Sequence, residues 1–387
     1  MKIGNSIYLD YQATTPTDPK VLAELTPYYA ASFGNPHSAE HWFGWQAAKA
    51  VETARQRIAQ LINADSDEIV FTSGATESNN LALLGLVEHY TGPRKKIFIS
   101  SIEHKSILSI CHKLEKKFSL EVVKIPVDNN GFIDIEWLSN NANEDTFIIS
   151  IIAVNNEIGT VQNLDVIGKI ARKSGAIFHS DASQAPQAME IDVLRSGIDI
   201  LSLSSHKIYG PKGIGAIYIS RELQKHIEPI IYGGGQENGL RGGTLPAPLC
   251  VGMGMAAKLI KEHFTCENQS IASLRNLFFE MLQARINDIN LNGPSWPRRH
   301  PGNINLCFPG INAQDLIAVL QPRIAASSGS ACSSGIVEPS HVLRAIGCSH
   351  EEAQSSIRFS LGRMSTRQEV EEAVEIIVDG VTKLRRS

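Results

Sequence analysis

Short apolar runs that alternate with helical patterns constrain the fold of this chain most strongly. Seven runs have strand length and are rich in β-branched residues: EIVFTS (68–73), KIFISS (96–101), EVVKIPV (121–127), FIISIIAV (147–154), AIFHSDAS (176–183), ILSLSS (200–205) and GAIYIS (215–220). Helix-like stretches at 77–90, 105–118 and 163–175 separate several of them, the last with a plausible C-cap glycine. The alternation predicts an α/β domain, with a mostly parallel seven-stranded sheet covered by helices.

The pattern changes after this region. The glycine-rich passage YGGGQENGLRGGTLPAP (232–248) interrupts the alternation, and a long helical region follows at roughly 249–286. Fewer strands and an amphipathic segment, QEVEEAVEIIVDGVTKLRR, complete the chain. We therefore predict a large α/β domain over residues 15–255 and a small α+β domain formed by residues 1–14 and 256–387.

Composition excludes several classes of function. The 387 residues are 43% hydrophobic and carry a formal net charge of -4, which gives no electrostatic case for nucleic acid or an anionic membrane as the main partner. The start has no apolar signal region, and the longest apolar run is too short to span a bilayer, which together predict a cytoplasmic protein. The six cysteines show no CxxC pairing, so reduced thiols and no resident metal site are predicted.

The stretch TSGATESNN (72–80) is the first chemical signal. A predicted strand runs through small residues directly into a helix, where free backbone N–H groups and the hydroxyl of Thr76 suit a phosphate. An ordinary capped turn, with Thr76 or Ser73 as the cap, explains this stretch equally well. The chain has no GxGxxG or Walker A pattern, so neither a dinucleotide nor a nucleoside triphosphate is favoured.

A lysine and an aspartate at strand ends form the second signal. Lys207 follows a buried-looking strand, where desolvation lowers the pKa of an amine and prepares it to form a Schiff base. Asp181 ends another strand and is suited to pair with a protonated pyridine nitrogen, with Gln184 close behind. Taken singly, Lys207 is more often a surface lysine and Asp181 more often an N-cap. Together with a phosphate cradle they make a pyridoxal phosphate site coherent.

Eleven motifs then occur in the order and spacing of cysteine desulfurases: DYQATTP (10–16), FGNPHS (33–38), TSGATESNN, EHKSIL (103–108), VNNEIGT (154–160), HSDASQ (179–184), SSHKIYGPKGIG (204–215), RGGTLP (241–246), SSGSACSSG (327–335), EPSHVLRAIG (338–347) and SSIRFSLGR (355–363). The chain resembles the housekeeping iron-sulfur-cluster and nitrogen-fixation type, within the class V aminotransferases of pyridoxal phosphate fold type I. The resemblance implies pyridoxal 5'-phosphate as cofactor, a homodimer, and conversion of L-cysteine to L-alanine with the sulfur left on the enzyme.

The resemblance also assigns roles around the cofactor ring. Lys207 matches the lysine that binds the cofactor covalently and later takes the Cα proton of the substrate. His104 matches the histidine that stacks on the ring and relays protons, although a solvated histidine at a helix start is its plainer interpretation. Asp181 resembles the partner of the pyridinium nitrogen, and Gln184 resembles the donor to the phenolic oxygen.

Further positions match the groups that hold phosphate and substrate. The phosphate-binding positions correspond to Ala75, Thr76, Ser204, His206 and, from the neighbouring subunit, Thr244. Asn156 and Arg358 resemble the pair that fixes the substrate carboxylate, with Asn156 also beside the cofactor.

Cys332 lies among serines, glycines and an alanine, where the backbone is free and the thiol is unshielded. This composition predicts a mobile loop over 327–340 that carries the nucleophilic thiol to the substrate and then presents the persulfide to an acceptor, such as a cluster scaffold or a tRNA-thiolation enzyme. Cys332 could also transiently ligate a cluster. We predict that the remaining cysteines are not catalytic: Cys111, Cys250 and Cys307 are buried, Cys348 is at a surface or turn position, and Cys266 is undecided.

The sequence departs from the family pattern at two places, and two rival functions stay open. The chain stops at VTKLRRS, without the tail that related housekeeping enzymes use to dock the scaffold. Gln12 stands where the family more often has a small or a different polar residue, near the substrate entrance. A selenocysteine lyase or another class V aminotransferase needs Lys207 and Asp181 but no thiol at position 332. A sulfur-relay or scaffold protein of the same fold would need none of them, and their presence argues against it.

Overall fold

The computed structural model describes residues 1–328 and 339–386. The strands within these residues are β1 (Lys2–Ile3), β2 (Ser6–Tyr8), β3 (Ile69–Thr72), β4 (Lys96–Ser100), β5 (Glu121–Ile125), β6 (Thr146–Ser150), β7 (Ile177–Asp181), β8 (Ile200–Ser204), β9 (Gly215–Ile219), β10 (Asn290–Leu291), β11 (Asn303–Cys307), β12 (Ile324–Ala325) and β13 (Ser356–Ser360).

The helices are α1 (Pro19–Leu25), α2 (Pro27–Ala30), α3 (Trp42–Ile62), α4 (Ala75–Val87), α5 (Lys105–Phe118), α6 (Ile135–Asn141), α7 (Leu164–Ser174), α8 (Val193–Ser196), α9 (Arg221–Gln224), α10 (Ala247–Gln283), α11 (Ala313–Leu320), α12 (His341–Ala345), α13 (His350–Gln354) and α14 (Arg367–Arg386). Short 3-10 turns occur at Ser66–Glu68, Ala185–Gln187, Ser205–Lys207 and Glu237–Gly239. None of the described helices is long and apolar enough to cross a membrane.

All seven predicted strand runs join one sheet, in the order β3-β9-β8-β7-β6-β4-β5. Strand β9 is antiparallel to both β3 and β8, and the other neighbours are parallel. The predicted mostly parallel seven-stranded sheet is therefore confirmed. Since β3 and β8 both oppose β9, the carboxyl ends of β3, β6, β7 and β8 lie at the same edge, where α/β proteins usually bind ligands.

The sheet is buried on both faces because its strands alternate between two apolar clusters. Ile149 packs in the cluster that contains side chains of α3 and α7, whereas the adjacent Ile148 packs in the cluster that contains those of α4 and α5. Every residue of β6, β8 and β9 is buried. Burying each such aliphatic side chain contributes about 1.5–3 kcal/mol, so these two clusters hold the sheet edge rigidly in place.

Some element ends differ from the predictions. Strand β6 stops at Ser150, although the apolar run continues to residue 154, because its pairing with β4 ends there. The N–H of Ile151 still donates to the carbonyl of His179 at 3.1 Å, but the N–H of Ile152 donates to the side chain of Glu103 at 2.6 Å. Helix α4 begins at Ala75, two residues earlier than predicted. Helix α7 ends as predicted at Gly175, which has a φ of 68° and caps it.

Two small sheets lie outside the large one. Strands β10, β11 and β13 form an antiparallel sheet, and β12 joins the N-terminal strands β1 and β2. Their core includes Phe278 of α10, Phe359 of β13 and Val374 of α14. Because α10 runs continuously from residue 247 to residue 283, the predicted domain boundary at 255 falls inside one helix. The division into two domains stays a prediction.

Candidate active site

A cavity of about 600 Å³ opens at the carboxyl edge of the large sheet. Its lining includes these residues proposed from the sequence: Ala75, Thr76, His104, Asn156, Asp181, Gln184, Ser204, His206 and Lys207. They come from five separate motifs that the strand order brings together. The cavity is within the size range of small-molecule sites.

Backbone N–H groups at the start of α4 form one end of the cavity. Gly74 is the N-cap, so Ala75 and Thr76 are the first helical residues and their N–H groups have no intrahelical acceptor. The turn lies directly against β9, since a Cβ on Gly215 would be only 2.6 Å from the Cα of Gly74. This end of the cavity is thus a helix N-terminus of the kind that binds anions.

Lys207 lies in the 3-10 turn that follows β8. Its Nζ donates to the carbonyl of Gln12 at 2.5 Å and to that of Ala13 at 2.8 Å. Burial lowers the pKa of Lys207 to about 8, and the nearby charge of Arg358 acts in the same direction, although Asp10 opposes it. A substantial fraction of this amine is therefore unprotonated, and nucleophilic, just above neutral pH.

Asp181 ends β7 and is almost completely buried. Its Oδ1 accepts from the N–H of Ser183 at 3.0 Å and from its hydroxyl at 2.5 Å, while its Oδ2 accepts from Nδ2 of Asn79 at 2.8 Å. These donors fix the orientation of a carboxylate that lines the cavity. Such a carboxylate can hold a proton on a ring nitrogen.

The same Asn79 amide extends the network to His104. Its Nδ2 also donates to Oγ of Ser106 at 2.9 Å, and that hydroxyl lies 2.9 Å from Nδ1 of His104. The N–H of Ser106 donates to the same Nδ1 at 3.2 Å, so His104 caps α5 while its ring stays open to the cavity. Burial by surrounding protein lowers the pKa of His104, which favours the neutral ring with its proton on Nε2.

Three further predicted residues, His206, Ser204 and Gln184, also line the cavity. Burial and then the neighbouring Lys207 lower the pKa of His206 to about 4, and its Nδ1 lies 3.1 Å from Oγ1 of Thr14. Ser204 is the last residue of β8. Nε2 of Gln184 donates to the carbonyl of Gln12 at 2.9 Å.

Arg358 lies beside the cavity rather than in its lining. Its guanidinium donates from one terminal nitrogen to the carbonyl of Asn156 at 2.9 Å and from the other to Oδ1 of Asp10 at 2.6 Å. Its Nε is buried without a partner in the described part of the chain. Asp10 is therefore a counter-ion that the sequence analysis did not identify.

The departure at Gln12 also has a structural place. Its side-chain Oε1 accepts from Nδ2 of Asn303 at 2.5 Å, so it links the N-terminal segment to β11. Its carbonyl is the acceptor for both Lys207 and Gln184. The backbone of this residue thus orients two proposed site residues.

One predicted site residue, Thr244, is not part of this cavity in the described structure. Thr244 is exposed and outside the cavity lining, and Cys332 lies outside the described residues. The other cysteines follow the predictions in their burial: Cys111, Cys250 and Cys307 are buried, and Cys348 is half-buried. Burial raises the pKa of Cys111 to about 12 and that of Cys307 to about 11, so both stay thiols.

Several residues of the site region were missed by the sequence analysis, among them Asp10, Glu77, Asn79, Ser106 and Arg241. Each lies within a motif that had been quoted for another residue, so the signal was present but had no assigned role. Asp10 contacts Arg358, and Asn79 and Ser106 contact Asp181 and His104. The spacing of residues along the chain does not reveal such contacts.

The residues present fit pyridoxal phosphate. The start of α4 supplies N–H donors for a phosphate, Lys207 supplies an amine for the aldehyde carbon, and Asp181 supplies a fixed carboxylate for the ring nitrogen. All three groups line one cavity. Few other cofactors need an anion site, a desolvated amine and a buried carboxylate at once.

Comparisons with known proteins agree with this fit. The family model "Aminotransferase class-V" matches residues 7–373. The cysteine desulfurase IscS of Rickettsia felis is 48% identical over 379 residues, which cover 98% of this chain and 92% of that protein. A solved NifS-like protein superposes with a TM-score of 0.91 at 33% identity, covering 98% of this chain and 100% of that one. The structure titled "SspA in complex with cysteine" has a TM-score of 0.82 at 39% identity, covering 93% and 99%.

The family model and the 48% identical relative both match nearly the whole chain, and the arrangement of the cavity agrees with them. The chain therefore belongs to the class-V aminotransferase family and, within it, to the pyridoxal phosphate-dependent cysteine desulfurases.

Proposed function

We propose that this protein converts L-cysteine to L-alanine and collects the sulfur as a persulfide on Cys332. The observation that carries the proposal is the position of Lys207 and Asp181 in one cavity, an amine with a depressed pKa and a buried carboxylate fixed by three donors. When bound there, pyridoxal phosphate withdraws electrons from the substrate carbon that bears the amino group. The roles that follow belong to the residues of this chain.

Lys207 would hold the cofactor through Nζ and, once the substrate amine replaces it, take the Cα proton. Its pKa of about 8 suits both tasks near neutral pH. Asp181 would keep a proton on the ring nitrogen, and Gln184 would use its second amide N–H toward the phenolic oxygen. His104, neutral with Nε2–H, would stack on the ring and move protons to and from the substrate thiol.

The phosphate would lie at the start of α4, near the hydroxyls of Thr76 and Ser204. His206 stays neutral at pH 7, so it would serve as a hydrogen-bond donor rather than a cation. Ala75 would contribute its backbone N–H. These groups orient the cofactor, because the phosphate is its only strongly charged end.

Arg358 and Asn156 would fix the carboxylate of cysteine. The planar fork of Arg358 is already oriented by Asp10 and by the Asn156 carbonyl, and its buried Nε has no other acceptor in the described structure. A guanidinium held in this way recognises a carboxylate by its planar geometry as well as by its negative charge.

The described residues on each side of Cys332 support its assignment. Ser327 and Arg358 exchange backbone hydrogen bonds at 3.1 and 2.7 Å, and on the other side Ser340 donates its hydroxyl to Glu157. Cys332 is five positions after Ser327 in the chain, which limits the distance between their Cα atoms to about 18 Å. This short reach from Ser327, the backbone partner of Arg358, supports the proposal that the Cys332 thiol attacks a substrate held by Arg358.

The sulfur transfer then balances without an added oxidant or reductant. The thiolate of Cys332 attacks the substrate sulfur, an S–S bond forms and the Cβ–S bond breaks with its electron pair left on the carbon side. Protons are then added to the substrate carbon atoms to complete L-alanine. The sum is L-cysteine plus a Cys332 thiol giving L-alanine plus a Cys332 persulfide, which a cluster scaffold or a tRNA-thiolation enzyme in the cytoplasm would then accept.

We also propose a homodimer in which Thr244 completes the phosphate site of the partner. Thr244 is exposed, and so are several large aromatic side chains of the N-terminal region and the glycine-rich passage: Tyr29, Phe33, Trp42, Trp45 and Tyr232. Exposed aromatic surface of this extent is typical of protein interfaces. Sedimentation of the purified protein at micromolar concentration tests the dimer, and a monomer would contradict it.

The function itself is tested with the wild-type protein and Cys332→Ser. After brief exposure to L-cysteine, mass spectrometry should find one added sulfur on the peptide that contains Cys332, with one alanine released per sulfur. Cys332→Ser should bind pyridoxal phosphate and cysteine normally yet release little alanine. Normal alanine release by this variant, or sulfur on Cys266 instead, would contradict the assignment, and release from selenocysteine alone would favour a lyase.

A further inference from the structure

Glu77 and Arg241 form an ion pair at the edge of the proposed phosphate site. Nε of Arg241 donates to Oε1 of Glu77 at 2.9 Å, and a terminal nitrogen of Arg241 lies 3.5 Å from Oε2. The same Oε2 accepts from the N–H of Ser73 at 2.8 Å. Only 8% of the Glu77 side chain and 18% of the Arg241 side chain are exposed, so water screens this pair weakly.

Glu77 carries a negative charge at neutral pH. Burial alone would raise its pKa, but the hydrogen bonds from Arg241 and Ser73 outweigh burial and hold the pKa below its ordinary value. Glu77 lines the cavity and is the third residue of α4, whose first residues are proposed to hold the phosphate. An anion is therefore built into the wall of an anion site.

Two anions at one helix start oppose each other. The partial positive charge of a helix N-terminus is about half an elementary charge, too small to balance a carboxylate and a phosphate together. Arg241 compensates the carboxylate of Glu77 with a full positive charge, although it is itself outside the cavity lining. Its position is fixed from the glycine-rich passage, where the N–H of Gly242 donates to the carbonyl of Ile231 at 2.8 Å.

We infer that Arg241 is a positioning residue for cofactor retention, acting by neutralising Glu77 so that the start of α4 accepts the phosphate of pyridoxal phosphate. The inference rests on the proposed function, since it presumes that this cofactor occupies the cavity. Glu77 shapes the turn through Ser73, and Arg241 removes the electrostatic penalty of having a carboxylate there. Glu77 therefore holds the turn, while Arg241 offsets the negative charge that Glu77 brings to the phosphate site.

The test measures the dissociation constant of the cofactor by equilibrium dialysis of the holoenzyme against graded concentrations of pyridoxal phosphate. Arg241→Gln should weaken binding about tenfold or more, because the Glu77 charge is then uncompensated. Glu77→Gln keeps an oxygen for the Ser73 N–H but removes the charge, so binding should be unchanged or tighter. The double variant Arg241→Gln, Glu77→Gln should return to within about threefold of wild type.

Arg241→Lys is the matched control, because it keeps the positive charge and loses the planar geometry; its binding should also stay within about threefold of wild type. The inference is overturned if the double variant binds as weakly as Arg241→Gln, or if Glu77→Gln alone weakens binding more than threefold. The second criterion holds even if Arg241→Gln does not fold. Wild-type protein that binds no pyridoxal phosphate would instead overturn the proposed function.

Discussion

The two sides of the cavity are built differently. On the cofactor side, Asp181 ends a strand and Lys207 follows one within three residues, so each is positioned by the sheet edge itself. On the substrate side, Arg358 is held by Asp10, 348 positions away in the chain, and by Asn156, 202 positions away. The cofactor side is therefore a property of one sheet, whereas the substrate side exists only where β13 meets the N-terminal segment and the residues that follow β6.

This difference suggests that the two sides fail differently. A change on the cofactor side should remove the cofactor and all chemistry, while a change on the substrate side should weaken cysteine binding and leave the cofactor in place. Lys207 connects the two sides, because the charge of Arg358 contributes to its low pKa.

The largest effect is expected on the cofactor side. Lys207→Ala removes the amine that would bind the cofactor and take the Cα proton, so we expect loss of the visible absorbance of the lysine-bound cofactor and of measurable alanine formation. Absorbance spectra and an alanine assay check both. Turnover near the wild-type rate would show that another residue does this work.

On the substrate side, Arg358→Lys keeps the charge but loses the two-donor fork. We expect KM for L-cysteine to rise roughly 10- to 100-fold, as for loss of a hydrogen bond to a charged group, with the cofactor absorbance preserved. Steady-state kinetics measure the change in KM, and absorbance spectra of the same sample show whether the cofactor is still bound. Loss of the cofactor would mean that the two sides are not independent.

Cofactor reloading should depend on pH through Lys207. Since its pKa is about 8 and only the unprotonated amine reacts, the rate at which cofactor-free protein binds pyridoxal phosphate should fall about tenfold per pH unit below 8 and level off above it. Stopped-flow absorbance between pH 6 and 9 measures this rate. The reaction of pyridoxal phosphate with a simple alkylamine over the same pH range is the control that corrects for titration of the cofactor itself. Arg358→Gln should move the profile to higher pH, and a rate that is flat from pH 6 to 8 would contradict the assigned pKa.

The smallest effect is expected at Ser106. Ser106→Ala removes a donor to Nδ1 of His104, and since that donor favours the neutral ring, its loss should raise the pKa of His104. We expect the acid limb of the kcat profile to move upward by up to about one pH unit, with kcat lowered by a few-fold. Ser106→Thr keeps a hydroxyl and should restore the profile, whereas an unmoved limb in Ser106→Ala would exclude His104 as the titrating group.

The outcome of the sequence-based predictions follows the same division. The strands ending at Thr72, Asp181 and Ser204 were predictable because each is a short buried run bounded by small polar residues. The contact between Arg358 and Asp10 was not, since either residue alone is compatible with a solvated surface position. The early end of strand β6 was not predictable for a similar reason. A run of apolar residues indicates burial but not strand pairing, and residues 151–154 are buried although they lie beyond the end of the strand.

The sequence by itself determined the seven-stranded sheet and the identities of the lysine, aspartate and helix-start groups, because local periodicity and strand-end chemistry act over a few residues. Only the tertiary structure decided which charged groups pair, Asp10 with Arg358 and Glu77 with Arg241. It also decided that the amide of Asn79 joins Asp181 to Ser106 by hydrogen bonds. Electrostatic and hydrogen-bond energies depend on distance and burial in three dimensions. Separation along the chain carries no information about either.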